Sequence, residues 1–131
     1  MEKDFDLWNI KKKELDVRQT DVPFFKEGEV WWVHLGLNVG FEMNGKGEEF
    51  TRPVIVLKKY NKYSFLALPL STSPKVNRYR ISVGVVDGKS ATANLSQLKN
   101  IDSKRLINKA GHIEAVQLQD LKEKTSRINF G

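Results

Sequence analysis

Between residues 29 and 102 the apolar side chains come in short bursts rich in β-branched and aromatic residues, separated by polar and turn-forming residues. Such bursts suit strands buried on one or both faces and are too short for core helices. Glu29 to Leu37 (EVWWVHLGL) predicts a first strand and Arg52 to Lys59 (RPVIVLKK) a central second one. Pro53 is expected at the start of the latter, because a proline inside a central ladder costs a hydrogen bond. Tyr63 to Leu70 reads as a third strand and the alternating Arg78 to Val86 as a fourth. The segment Asp87-Gly88-Lys89 is a hairpin turn signal, followed by short strands at Ser90 to Leu95 and Gln97 to Asp102. Residues 38–50 and 71–77 read as loops.

Two amphipathic helices are expected outside this block. One spans residues 4–15; the other runs from Glu114 to Ile128 and spaces Val116, Leu118, Leu121 and Ile128 for the core. The polar stretch DVRQTDVP, ending at Pro23, separates the first helix from the strands. The fold class is therefore mainly β with helices: a small, strongly curved antiparallel sheet or barrel over residues 25–131, preceded by an N-terminal helical extension over residues 1–24.

At 131 residues without cysteine, the chain is sized for a single domain that needs no disulfides, and zinc ribbons and thiol nucleophiles are excluded. His34 and His112 stand far apart, so no metal site is expected. The N-terminus lacks the apolar core of a signal peptide and no apolar run approaches the ~20 residues of a membrane span, which predicts a cytoplasmic protein. Charge is uneven. Residues 1–27 carry 6 basic and 7 acidic side chains, residues 28–70 carry 5 and 4, and residues 71–131 carry 11 and 5. A basic C-terminal half is the footprint of a polyanionic partner, nucleic acid or an acidic protein segment, although a solvated basic surface has the same composition.

Specific residues narrow this further. GEVWWVHLG at 28–36, VGFE at 39–42, RPVIVL at 52–57, LALPLSTS at 66–73 and SQLKNIDSKRL at 96–106 occur in the order found in the MazF/PemK family of toxin endoribonucleases, which the chain resembles over about residues 25–128. The resemblance implies an SH3-like barrel, a homodimer, and cleavage of single-stranded RNA without metal or other cofactor. It also implies a cognate antitoxin whose acidic tail covers the RNA site.

Carried over position by position, the resemblance puts Arg52 at the scissile phosphate, where a guanidinium fork matches phosphate oxygens. Ser71 takes the place where the family most often has threonine, with Thr72 one residue away as the alternative register; a hydroxyl there can donate to a phosphate oxygen or the leaving group. Glu42 is expected to act as base or to hold Arg52. Lys46, Lys75, Arg78, Arg80, Gln97 and Lys99 are expected to bind RNA. Many relatives carry a carboxylate before the glutamine of the later element, and here that position is Ser96, which leaves open a weakened nuclease or a non-catalytic barrel module that binds nucleic acid or an acidic peptide. His34 is read as a structural or surface residue and His112 as capping or packing near the last helix. Trp31 and Trp32 must point to opposite faces of their strand, one to the core and one to a partly exposed surface.

Overall fold

The computed structural model describes residues 22–35, 51–73 and 77–131. The expected helix at 4–15 lies outside the described residues, as do Glu42, Lys46 and Lys75. The strands are β1 (Glu29–His34), β2 (Thr51–Asn61), β3 (Ser64–Ser71), β4 (Arg80–Val86), β5 (Lys89–Asn94), β6 (Lys99–Asp102) and β7 (Leu106–His112), followed by helix α1 (Ala115–Phe130). They form a bent half-barrel in the order β4-β5-β3-β2-β1-β7, with β6 added beside the first half of β3. No helix among the described residues is long and apolar enough to cross a membrane.

The apolar run in β2 is explained by burial on both sides of the sheet. Val54 and Val56 face a cluster with Trp31, Val33, Phe65, Ala67, Ile101 and Leu106. Ile55 and Leu57 face the inside of the bend with Val30, Leu68, Leu70, Ala91 and Ala93. Helix α1 closes that inner side with Leu121, buried, and Leu118 and Ile128, partly buried. Two hydrogen bonds pin it, from Gln117 Nε2 to Val83 O (3.2 Å) and from Asn129 Nδ2 to Leu95 O (2.8 Å).

Three sequence expectations need correction. Val116 is 83% exposed, because at ~100° per residue it sits across the helix from Leu118; the buried stripe continues instead through Thr125, whose Oγ1 donates to Leu121 O at 2.7 Å. Pro53 is the third residue of β2, opposite Trp32 of β1, and the β3 ladder begins one residue later at Val54–Pro69, so the missing N–H falls where only one neighbour is paired. His112 is exposed at the end of β7, 3.8 Å from Glu114 Oε1, and does not cap α1, whose N-cap is Glu114. Strand β7 itself was not foreseen. Its sequence, LINKAGH, buries only Leu106, and the segment is a strand because its backbone completes the edge of β1.

Gly28 shows how tightly the parts meet. Its φ is +87°, and a Cβ there would sit 3.4 Å from Leu118 Cδ2 and 3.5 Å from Ile113 O. Its N–H donates to Val56 O and its carbonyl accepts from Ile113 N–H, both at 2.8 Å. The positive φ is what calls for glycine, since a Cβ there would meet only ordinary van der Waals contacts.

The next residue anchors the same corner electrostatically. Glu29 accepts from Lys26 N–H (2.8 Å) and Trp31 Nε1 (3.0 Å) and pairs with Lys109 Nζ (2.9 Å). Burial alone would raise its pKa, but the hydrogen bonds from Lys109, Trp31 and Lys26 outweigh it and hold the carboxyl below its ordinary value. A folded pKa below the unfolded one gives stability that is present above the ordinary carboxylate range and lost as pH falls through the folded value. Thermal melts at neutral and acid pH are expected to show Glu29→Gln melting below the parent at neutral pH and losing less on acidification. An equal acid-induced loss in both proteins would remove Glu29 as a source of acid sensitivity.

Candidate active site

At the open end of the half-barrel, Trp32, Pro53, Leu70, Val86 and Ala91 form the apolar wall of a cavity of about 280 Å³, and Thr51, Arg52, Ser71, Thr72, Asp87 and Lys89 line its remainder. The sheet register builds the polar side. The β2–β3 ladder ends at Val54–Pro69, and Arg52 reaches past that end to bond Leu70 O, the residue before Ser71. Ser71 pairs in turn with Thr92 of β5, and Thr92 with Ser82 of β4. One row across three strands thus carries three hydroxyls, with the Arg52 guanidinium at its β3 end. In such a row side chains at directly opposed positions stand close together.

Arg52 is 7% exposed and its Nη1 donates to Leu70 O at 3.1 Å. Burial, and after it the charge of nearby Arg80, push its pKa down from the ordinary value. An arginine stays protonated in a protein, so Arg52 contributes a buried positive charge to the cavity wall. Ser71 Oγ accepts from Ser73 N–H at 3.1 Å and its carbonyl accepts from Thr92 Oγ1 at 3.4 Å. The Ser71 hydroxyl hydrogen is then available to a ligand in the cavity. Thr72 lines the same cavity and is exposed.

The expected RNA-binding residues divide. Arg80, half-buried, joins Arg52 through its field. Arg78 is exposed, its guanidinium 5.1 Å from the Tyr79 ring centroid. Gln97 donates its N–H to Asn94 O in the turn after β5, and Lys99 begins β6 opposite Ala67; neither lines the cavity. Ser96, standing where relatives often have a carboxylate, donates through Oγ to Asn94 Oδ1 at 3.0 Å. His34 is buried at the end of β1, with its carbonyl accepting from Arg105 Nη1 at 3.0 Å. The two tryptophans divide as alternation requires: Trp31 is buried in the core and Trp32, half-buried, lines the cavity.

Sequence reasoning missed Asp87, Lys89 and Thr92. Asp87 (φ +49°) and Gly88 (φ +75°) make the β4–β5 turn, and Asp87 Oδ2 accepts from Trp32 Nε1 at 2.6 Å. β1 and β4 are separated by three strands in the sheet, so this bond exists only because the sheet bends back on itself. The Asp-Gly signal marked a turn; nothing local marked what the turn reaches. Thr92 was equally hidden, since its place beside Ser71 follows from strand pairing.

The architecture matches known toxins. A crystal structure of MazF from Deinococcus radiodurans superposes with a TM-score of 0.66 at 21% identity, over 82% of this chain and 96% of that one. The Mycobacterium tuberculosis toxin MazF-mt6 gives 0.57 at 16% identity, over 76% and 93%. An endoribonuclease from mycobacterial species, in complex with its cognate antitoxin, gives 0.62 at 12% identity, over 82% and 98%. At these identities the likeness concerns the fold, and a search of curated proteins returned no match. The family assignment comes from the sequence pattern itself: residues 26–128 match the family model described as PemK-like, MazF-like toxin of type II toxin-antitoxin system, and the chain belongs to that family.

Proposed function

We propose that the protein is a toxin endoribonuclease that cuts single-stranded RNA without metal and is neutralised by an acidic antitoxin. The observation that carries this reading is the buried Arg52, bonded to Leu70 O and sharing one cavity with Ser71, Thr72 and Lys89: a cationic, hydroxyl-lined pocket suited to a phosphodiester. In the proposed reaction the substrate's 2′-oxygen attacks phosphorus, its proton passes to a base, and the 5′-oxygen leaves with a proton. The products are a 2′,3′-cyclic phosphate and a 5′-hydroxyl. Arg52 stabilises the charge gathering on the non-bridging oxygens, and Ser71, or Thr72 in the shifted register, donates to the same oxygens or to the leaving group.

Glu42 remains a proposed base. Asp87 is a second candidate from within the cavity, held by the Trp32 indole and facing the same space as Arg52 and Ser71. The mycobacterial endoribonuclease held by its cognate antitoxin supports an equivalent partner here. A homodimer, a cytoplasmic location, and the division into a 1–24 extension and a 25–131 domain complete the proposal. RNA binding by Lys46, Lys75, Arg78, Gln97 and Lys99 belongs to it as well.

The decisive experiment is cleavage of a long unstructured RNA in EDTA, with the products tested for a cyclic phosphate end. A second reading, a binding module without chemistry, is favoured by Ser96, which supplies no carboxylate and donates its hydroxyl to Asn94. Two substitutions separate the readings. Ser71→Ala and Asp87→Asn are each expected to slow single-turnover cleavage by ~10-fold or more while leaving affinity for a 2′-deoxy analogue, which lacks the nucleophile, nearly unchanged. A module would show no cleavage, and the substitutions would change affinity alone, by about 1 kcal/mol for one hydrogen bond.

A further inference from the structure

The far end of the β2–β3 hairpin carries a surface that the Arg52 cavity does not use. Phe24, Tyr60 and Tyr63 are 75, 53 and 53% exposed. Scattered exposed apolar residues are ordinary, but three bare rings about one turn form a patch. Lysines stand over two of them, Phe24 and Tyr63, and over the buried Phe25 beside them. Lys59 Nζ lies 4.4 Å from the Phe24 ring centroid and 4.3 Å from that of Phe25, Lys26 Nζ 5.8 Å from Phe24, and Lys62 Nζ 5.0 Å from Tyr63. Phe24, Lys26, Lys59 and Tyr60 share an open groove. Among the described residues, the nearby acids are already engaged: Glu27 accepts from Lys59 N–H (2.9 Å) and Lys122 Nζ (3.3 Å), and Asp102 from Lys104 N–H (2.8 Å).

The patch is also preordered. Asn61 Oδ1 accepts from Tyr63 N–H and Ser64 N–H, Ser103 donates its N–H to Tyr63 O and its Oγ–H to Lys62 O, and Lys59 Nζ donates to Phe25 O at 2.8 Å. A surface held in place before binding loses little freedom when it captures a ligand. Exposed rings interleaved with ammonium groups match a single-stranded nucleic acid, whose bases stack on the rings while its phosphates meet the lysines. An acidic peptide would satisfy the lysines and leave the rings without flat partners.

We propose that this hairpin tip is a second, non-catalytic binding site for single-stranded RNA, which holds the substrate at a distance from the cut; the proposal rests on the nuclease reading above. From Arg52 to Tyr60 is eight residues of β2, about 26 Å at ~3.3 Å per residue, so only an RNA long enough to span that distance touches both sites. Lys99, opposite Ala67 of β3, stands between Ser71 and Tyr63 along that strand.

The test compares affinities of the full chain for two RNAs made uncleavable by a 2′-deoxy nucleotide at the mapped cut, one just filling the cavity and one long enough to reach the tip. The variant Phe24→Ala/Tyr60→Ala/Tyr63→Ala is expected to weaken the long RNA by about tenfold or more and leave the short one unchanged. Tyr60→Phe/Tyr63→Phe, which keeps the rings, should hold the long RNA as the parent does. Lys62→Glu gives a second route that removes no ring: it should weaken the long RNA and flatten its salt dependence. Parent-like long-RNA affinity in both the triple variant and Lys62→Glu overturns the proposal, as does equal loss for the two RNAs. Loss of binding to an acidic peptide with RNA affinity intact overturns it too and assigns the surface to a protein partner. If the parent binds neither RNA, the nuclease reading fails and this site with it. If the parent binds both RNAs alike and cuts the unmodified short one, only the tip is refuted.

Discussion

Arg52→Ala is expected to lower the rate of RNA cleavage by about a hundredfold or more, the usual cost of losing one preorganised stabiliser of transition-state charge. Arg52 is 7% exposed and its Nη1 is bonded to Leu70 O, so its guanidinium is held in place before substrate arrives. Arg52→Lys is expected to recover little, because an ammonium keeps the charge and loses the planar fork. The measurement is single-turnover cleavage in EDTA, with a thermal melt of each variant to verify the fold. Near-parental cleavage by folded Arg52→Ala would refute the site.

Phe65→Ala should cost about 3–5 kcal/mol of folding free energy. The ring is fully buried between the strands that carry the site and meets the Phe25 ring at a centroid distance of 4.9 Å and an interplanar angle of 52°. Its removal leaves a void among Val54, Val56, Ala67 and Ile101, side chains fixed on strands that cannot collapse far inward. Against a total stability of ~5–15 kcal/mol, that is a large share. Urea unfolding should show the midpoint falling with an unchanged slope. Phe65→Leu, which keeps most of the volume, should lose much less. A Phe65→Ala midpoint equal to the parent's would mean that the ring does not bridge β3 to Phe25 and the β2 valines.

The strands that sequence reasoning located share one property, a side-chain pattern that reports its own burial. The VIVL run of β2 reads as a central strand, the alternation of β4 as half-exposed, and Asp87-Gly88-Lys89 as a hairpin turn, which the structure makes with Asp87 and Gly88 at positive φ. β7 has no such pattern, since an edge strand is held by its backbone, and it was missed. Val116 was misassigned because membership of an apolar set was taken for membership of one helical face, while Thr125, polar by type, holds the buried position by bonding to Leu121 O.

The candidate site divides along the same line. Arg52 and Ser71 were legible because a strand-start arginine and a strand-end serine each sit in a short motif of ordered family elements. Local pattern determined β1 to β6, where the chain turns between them, and the short motifs that carry the family, because those depend on residues a few positions apart. The tertiary structure decided that Trp32, Arg52, Ser71 and Asp87 line one cavity and that Thr92 stands beside Ser71. Those neighbours come from strand register and from the bend that carries the β4–β5 turn to Trp32, 55 residues away, and no local periodicity encodes contacts at that separation.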